Sequence, residues 1–214
     1  MPVFKFTKFQ IAAHIGSLIP LTLLIWDFFT HHLTANPIQD ITFRTGKAAL
    51  VLLVLSLACT PLNSLFGFKS ALKVRRALGL YAFLYVCLHF LTFLTDYTFD
   101  PALLYEAIFE KRYALVGFSA FLILLPLAIT SMQWWMKKLG KNWKRLHRLV
   151  YVAGLLAVIH YVWLVKSDIR EPLAYGGVVV LLLAARIPAF KKAVMKLRSG
   201  LIKWMETDPA PDRV

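Results

Sequence analysis

The sequence predicts an all-α integral membrane bundle of six transmembrane helices. Three observations carry this expectation. Hydrophobic residues fill 59% of the 214 positions and charged residues only 17%, with a mean hydropathy of +0.64; a soluble domain of this size needs far more polar surface to cover its core. Apolar runs of about 18 to 22 residues recur along the chain, each long enough to cross a bilayer as a helix. The connections between these runs alternate in charge.

The runs place spans at about 9–30, 43–62, 76–95, 113–131, 146–165 and 172–189. The first carries no small-residue cleavage site and is long enough to stay as a span, so no secretory signal peptide is expected. Basic residues gather in alternate connections. Lys5 and Lys8 precede span one, and Lys69, Lys73, Arg75 and Arg76 follow span two. Lys137, Lys138, Lys141, Lys144 and Arg145 follow span four, and Lys191, Lys192, Lys196, Arg198 and Lys203 lie in the tail. The other loops hold Asp40, Asp96, Asp100, Glu106, Glu110, Asp168 and Glu171, while Glu206, Asp208 and Asp212 end the tail. The lysine and arginine bias predicts that both termini face the cytoplasm. Trp134, Trp135, Trp143 and Trp163 lie near span ends, where interfacial anchors belong. Residues 1–190 are thus expected to form one six-helix transmembrane domain and 191–214 a basic cytoplasmic tail. Beyond Pro188 that tail suits either an amphipathic segment lying on the lipid bilayer or a solvated one.

Composition also excludes several function classes. The net charge of +14 invites a nucleic-acid partner, but the basic residues are divided among separate loops, so no nucleic acid is expected. Cys59 and Cys87 fall singly inside apolar runs and read as small buried hydrophobes, not as a disulfide or a thiolate metal site. There is no glycine-rich nucleotide fingerprint, no P-loop and no room for a flavin- or NAD-binding domain. No internal repeat of the kind that marks many transporters is visible. Any chemistry must be done within the spans and short loops.

The histidines carry the functional signal. Of six, His14, His89, His147 and His160 lie within or at the edge of spans, where ionisable groups are costly. A lone intramembrane histidine often makes only an interhelical hydrogen bond. Four of them, in spans where Asp27 is nearly the only acid, call for more. His89 and His160 share the outer half of spans that run in the same direction. His147 lies 13 residues before His160, roughly 20 Å away along an α-helix, which defines a second layer on the cytoplasmic side shared with His14. On an unbroken helix those two residues are turned roughly 140° apart, so they need not face the same neighbour. Neutral imidazole is a good iron ligand, and a bis-histidine haem leaves no open position, which favours electron transfer over substrate chemistry. The strongest expectation is that His89 and His160 ligate one iron. Zinc or copper would need three or four ligands at one depth, and a proton relay would need intramembrane carboxylates. His31 and His32, adjacent in an outer loop, read as solvated.

The stretch Trp143-Lys144-Arg145-Leu146-His147-Arg148-Leu149-Val150-Tyr151, followed by His160-Tyr161, resembles the ferric-reductase-like transmembrane domain of ferric reductases and NADPH oxidases. His89, within Tyr85-Val86-Cys87-Leu88-His89, matches the outer-haem histidine of that superfamily's third span. Within the superfamily the chain resembles the haem-binding membrane subunits of bacterial periplasmic protein-methionine-sulfoxide reductase systems. The supporting pieces are Thr45-Gly46-Lys47-Ala48-Ala49, Thr60-Pro61, Arg75-Arg76-Ala77-Leu78-Gly79-Leu80 and Lys138-Leu139-Gly140-Lys141. The resemblance implies one or two b-type haems, FMN and a place in the bacterial inner membrane. It also implies a periplasmic molybdopterin-dependent methionine-sulfoxide reductase as electron acceptor. The donor would be the quinone pool or a cytosolic flavin reductase.

One departure bears on the inner layer. Fourteen residues before His89, where the oxidase branch carries a second histidine, this chain has Arg75. His14 is the proposed replacement partner of His147. Arg75, Arg76 and Arg148 suit haem propionates or a flavin phosphate, and suit lipid headgroups as topology-setting residues equally well. The expected function is therefore electron transfer by a subunit that is not an enzyme by itself. A self-standing ferric or metal reductase is the alternative, and a transporter or channel is the rival from another class.

Overall fold

The computed structural model describes residues 6–165 and 167–207. Lys5, Asp208 and Asp212 of the charge pattern lie outside the described residues. Among the described residues ten helices follow in order: α1 Lys8–Phe29, α2 Pro37–Phe66, α3 Lys69–Asp96, α4 Pro101–Glu110, α5 Arg112–Ile129, α6 Gln133–Leu139, α7 Lys141–His147, α8 Val150–Leu164, α9 Arg170–Ala184 and α10 Pro188–Thr207. No strand occurs among the described residues. Five segments of the described residues are long and apolar enough to cross a membrane: α1, α2, α3, α5 and the run Lys141–Leu164 that joins α7 to α8.

The sixth expected span differs. Helix α9 has only 15 residues, about 22 Å of helix against roughly 30 Å of hydrocarbon. It becomes a sixth span only if counted with the start of α10, from which it is bent by 94°. Pro188 opens α10, and the residue before a proline is driven out of the helical region. Three further elements were not anticipated. Helix α4 sits between spans three and four, capped by Asp100, whose carboxylate accepts from the Ala102 and Leu103 amides. Helices α6 and α7 fill the basic connection after α5.

Local signals explain where the long helices start and stop. Thr7 and Gln10 form a capping box at α1. Asn36 caps α2, with Pro37 in its first turn, and Gly67 ends it in the left-handed region at φ 73°. Helix α2 is the centre of the bundle, packed against α1, α3, α8 and α9. Its tightest faces use small residues, as helix packing inside a bilayer requires. Ala48 and Ala49 meet Ala82 of α3 and Ala153 of α8 in one buried cluster. Leu50, Val158 and Val179 tie α2, α8 and α9 together.

Two polar side chains mend helices broken by proline. Tyr85 of α3 is fully buried; its hydroxyl accepts from the Leu21 amide at 3.0 Å and donates to the Ser17 carbonyl at 2.8 Å, beside Pro20 in α1. In α2, Pro61 has no N–H to give the Leu57 carbonyl. Arg186, at the α9–α10 bend, supplies one instead at 2.5 Å and donates to the Tyr151 hydroxyl at 2.9 Å. Trp143, expected as an interfacial anchor, turns inward and donates to the Thr130 carbonyl at 2.8 Å, whereas Trp134 and Trp163 are exposed.

Candidate functional site

Helices α3 and α8 each bring one histidine to a shared cavity. The ring centres of His89 and His160 are 6.0 Å apart, with planes crossed at 82°. The cavity, about 440 Å³, lies between α2, α3, α5 and α8, and Ile108 of α4 closes against it. Ala49, Ala82 and Ala120 leave its walls thin, and Phe90, Phe118 and Phe121 form a stacked aromatic side. Lys47 is the charged residue on its lining, held by Glu171 of α9 at 2.6 Å.

Hydrogen bonding fixes what these imidazoles can do. Nδ1 of His89 lies 2.8 Å from the Thr42 carbonyl, and Nδ1 of His160 lies 2.7 Å from the Tyr113 carbonyl. A carbonyl only accepts, so each Nδ1 carries the proton and donates. Each Nε2 then keeps its lone pair, the state in which imidazole binds a metal. Two metal–imidazole bonds of about 2.0 Å, end to end, separate two ring centres by roughly 6 Å. The pair therefore fits one metal centre held between two helices. An apolar cavity with aromatic and small-residue walls fits a flat macrocycle around that metal. Among the described residues no group of three or more histidine, cysteine, aspartate or glutamate side chains converges, so a bare three- or four-ligand metal site is not what the cavity offers.

The cytoplasmic-layer candidates are arranged otherwise. His14 Nδ1 lies 3.0 Å from the Tyr81 hydroxyl, and its ring meets Phe6 and Tyr81 edge-on. His147 stacks on Trp143 with ring centres 4.1 Å apart. Its Nε2 lies 3.1 Å from the Thr130 hydroxyl, whose proton is engaged by the Pro126 carbonyl at 2.6 Å; Nε2 is therefore the donor. The structure brings His89 and His160 together and seats His14 and His147 on separate partners. The turn at Arg148 and Leu149, closed by three-residue hydrogen bonds to Arg145 and Leu146, tightens the helix between His147 and His160. Arg148 and Leu149 keep right-handed helical dihedrals and Lys141–Leu164 remains one segment of span length, so the tightened turn adjusts the roughly 140° phase expected for a regular helix only locally.

Arg75 donates to the Thr60 hydroxyl at 3.0 Å. Arg76 and Arg148 are exposed. His31 and His32 are exposed in the α1–α2 connection, as expected. Asp27, the acid inside span one, is paired with Arg44 of α2 at 2.7 Å.

Several contributors escaped sequence reasoning. Gly46 and Gly117 face the two histidine rings so closely that a Cβ would lie 3.0 Å and 2.6 Å from their Nδ1 atoms. Their signal was present as mid-helix glycines, which weaken a helix by about 1 kcal/mol relative to alanine and so need a reason. The Lys47–Glu171 pair joins residues far apart in sequence, and no local pattern announces it.

Comparison with known proteins shows the family. Residues 45–158 match the model of the ferric reductase like transmembrane component. The chain is 47% identical to the protein-methionine-sulfoxide reductase heme-binding subunit MsrQ of Xanthomonas axonopodis pv. citri, over 81% of this chain and 83% of that protein. It is 42% identical to the subunit of the same name from Rhodospirillum rubrum, over 89% of this chain and 91% of that protein. No solved structure matches the chain. The matched stretch begins beside Gly46 and includes His89 and His147, and the chain belongs to the MsrQ family of ferric reductase like transmembrane components.

Proposed function

We propose that this chain carries electrons across the bacterial inner membrane through b-type haem and is not an enzyme by itself. It takes electrons from the quinone pool or a cytosolic flavin reductase. It gives them to a periplasmic molybdopterin-dependent methionine-sulfoxide reductase that repairs oxidised proteins. The observation that carries this reading is the His89–His160 pair: two imidazoles whose Nδ1 atoms donate to backbone carbonyls, with ring centres 6.0 Å apart on the lining of one apolar cavity. Haem bound there would be held by His89 and His160 and would supply one-electron chemistry. The chain's own residues supply ligand placement, burial and a water-poor setting. Lys47 and Tyr161, on the cavity lining, are placed to meet haem carboxylates.

In this reading both termini face the cytoplasm, residues 1–190 form the transmembrane domain, and 191–214 are a cytoplasmic tail. Helix α10 supports it: bent 94° from α9, it sets Phe190, Val194 and Leu197 on one side and Lys192 and Lys196 on the other, as a helix lying on a membrane surface does. His147, with His14 as candidate partner, belongs to a second cytoplasmic centre. Arg75, Arg76 and Arg148 are the candidates on that side for haem propionates or an FMN phosphate.

The test is a pyridine haemochrome assay on the purified chain with haem-to-protein stoichiometry, followed by reduction with a flavin reductase or a reduced quinone. Haem that is reduced this way and reoxidised by the periplasmic reductase is expected. A chain purified without haem, or one that rapidly oxidises NADPH unaided, refutes the division of labour.

A further inference from the structure

The two histidines are not held by unrelated contacts. His89 bonds a carbonyl 47 residues earlier in the chain, and His160 also bonds a carbonyl 47 residues earlier. In each case the residue four places beyond that carbonyl is glycine, Gly46 after Thr42 and Gly117 after Tyr113, and in each case the ring packs on that glycine. Thr42 to Tyr113, Gly46 to Gly117 and His89 to His160 are one and the same step along the chain. The same step carries Ala49 to Ala120, Leu53 to Leu124 and Ala82 to Ala153, all buried. The hairpins α2–α3 and α5–α8 are therefore two copies of one unit, facing each other across the cavity in the manner of a parallel repeat. The sequence alone predicts no internal repeat of the transporter kind; these equal steps are read from the side-chain contacts.

The chemistry of the unit follows from helix geometry. Inside an α-helix a carbonyl is bonded to the amide four residues on, and the side chain of that later residue stands beside it. Glycine removes that side chain, so the carbonyl's second lone pair is open to a ring from the neighbouring helix. The closeness of the ring, not an unusual backbone, is what requires glycine here: neither Gly46 nor Gly117 has a positive φ.

We propose that Gly46 and Gly117 are the positioning residues of the outer haem, each exposing the carbonyl that fixes its histidine's tautomer and direction. This rests on the proposed haem-carrying function. Bonds of this kind from Nδ1 raise ligand basicity and orient the metal-binding nitrogen, and losing such a partner lowers metal-site affinity by roughly 10- to 100-fold. The two glycines are not equal. At Gly117 a methyl group would stand 2.6 Å from Nδ1 and 2.8 Å from Cε1 of His160, so the ring must leave its bond to Tyr113. At Gly46 the corresponding distances are 3.0 and 3.1 Å, and a shift of a few tenths of an ångström suffices.

The experiment compares Gly46→Ala, Gly117→Ala and the control Gly177→Ala, whose Cβ would meet nothing within 4 Å. Haem content, the low-spin electron paramagnetic resonance signal and the midpoint potential are read on the full chain in detergent. Gly117→Ala is expected to lose the outer low-spin signal or to lower haem affinity by roughly 10-fold or more. Gly46→Ala is expected to keep haem with altered g-values and a higher potential, the mark of a less basic ligand. Gly177→Ala is expected to match the wild type. If Gly117→Ala does not fold, Gly46→Ala alone decides. Wild-type spectra and potential in Gly46→Ala, or equal losses in the control, overturn the proposal. A wild-type chain that binds no haem overturns the proposed function instead, so the two failures are distinct.

Discussion

The hydroxyl of Tyr85 is inserted into the backbone ladder of α1, between the Leu21 amide and the Ser17 carbonyl that would otherwise bond each other. Pro20 already strains this turn, since a proline inside a helix clashes with the preceding turn. The inserted hydroxyl satisfies both backbone groups and pins α1 to α3. Tyr85→Phe is expected to destabilise the chain by about 1–2 kcal/mol and to leave the haem spectrum unchanged. Unfolding in detergent, followed by circular dichroism beside the visible spectrum, checks both halves.

A related test applies to Arg186. Its guanidinium reaches the Pro61-freed Leu57 carbonyl and the Tyr151 hydroxyl together, which a lysine's single ammonium cannot reproduce. Both Arg186→Ala and Arg186→Lys are expected to lower stability, the alanine variant by about 1–3 kcal/mol for the carbonyl left unpaired. Stability equal to wild type in Arg186→Ala would show that α9 does not depend on this contact.

His89→Ala and His160→Ala are expected to erase the same low-spin haem signal. The double variant should lose little beyond either single change, because a broken site cannot be broken twice. His147→Ala should leave that signal in place. Loss of two separate signals in the double variant would assign the two histidines to different irons.

Thiol labelling tests the direction of the bundle. Cysteines introduced at Asp100 and Asp168 should react from the periplasmic side, and cysteines at Ser70 and Lys141 should not. Asp100, Asp168 and Lys141 are exposed and Ser70 is half-buried, so Lys141 is the position whose silence reports on side and not on burial. Reversed labelling would exchange the inner and outer layers.

The sequence made five crossings and the His89–His160 pair legible because both rest on patterns of long period: apolar runs of span length, and matching depths on spans of the same direction. It did not show the 94° bend between the two helices that would make up the sixth crossing, because an apolar stretch gives no sign of where Pro188 and the Arg186 contacts will bend it. Helix α4 was hidden inside an acidic loop whose Asp100-Pro101 start is a cap and first-turn signal. Gly46 and Gly117 were visible as letters, but their purpose lies in a neighbour from another helix. The duplication went unseen because few identities survive outside the buried positions, and lipid-facing residues are free to drift among apolar types.

The bond from His147 Nε2 to Thr130 has a consequence for assembly. At the His89–His160 cavity the carbonyl bonds engage Nδ1 of each ring, so metal binding through Nε2 would displace neither of them. His147 must first surrender a hydrogen bond and leave its stack on Trp143 if it is to use the same nitrogen. A centre at His147 would therefore demand a rearrangement of the contact between α5 and α7 that one at His89 and His160 would not.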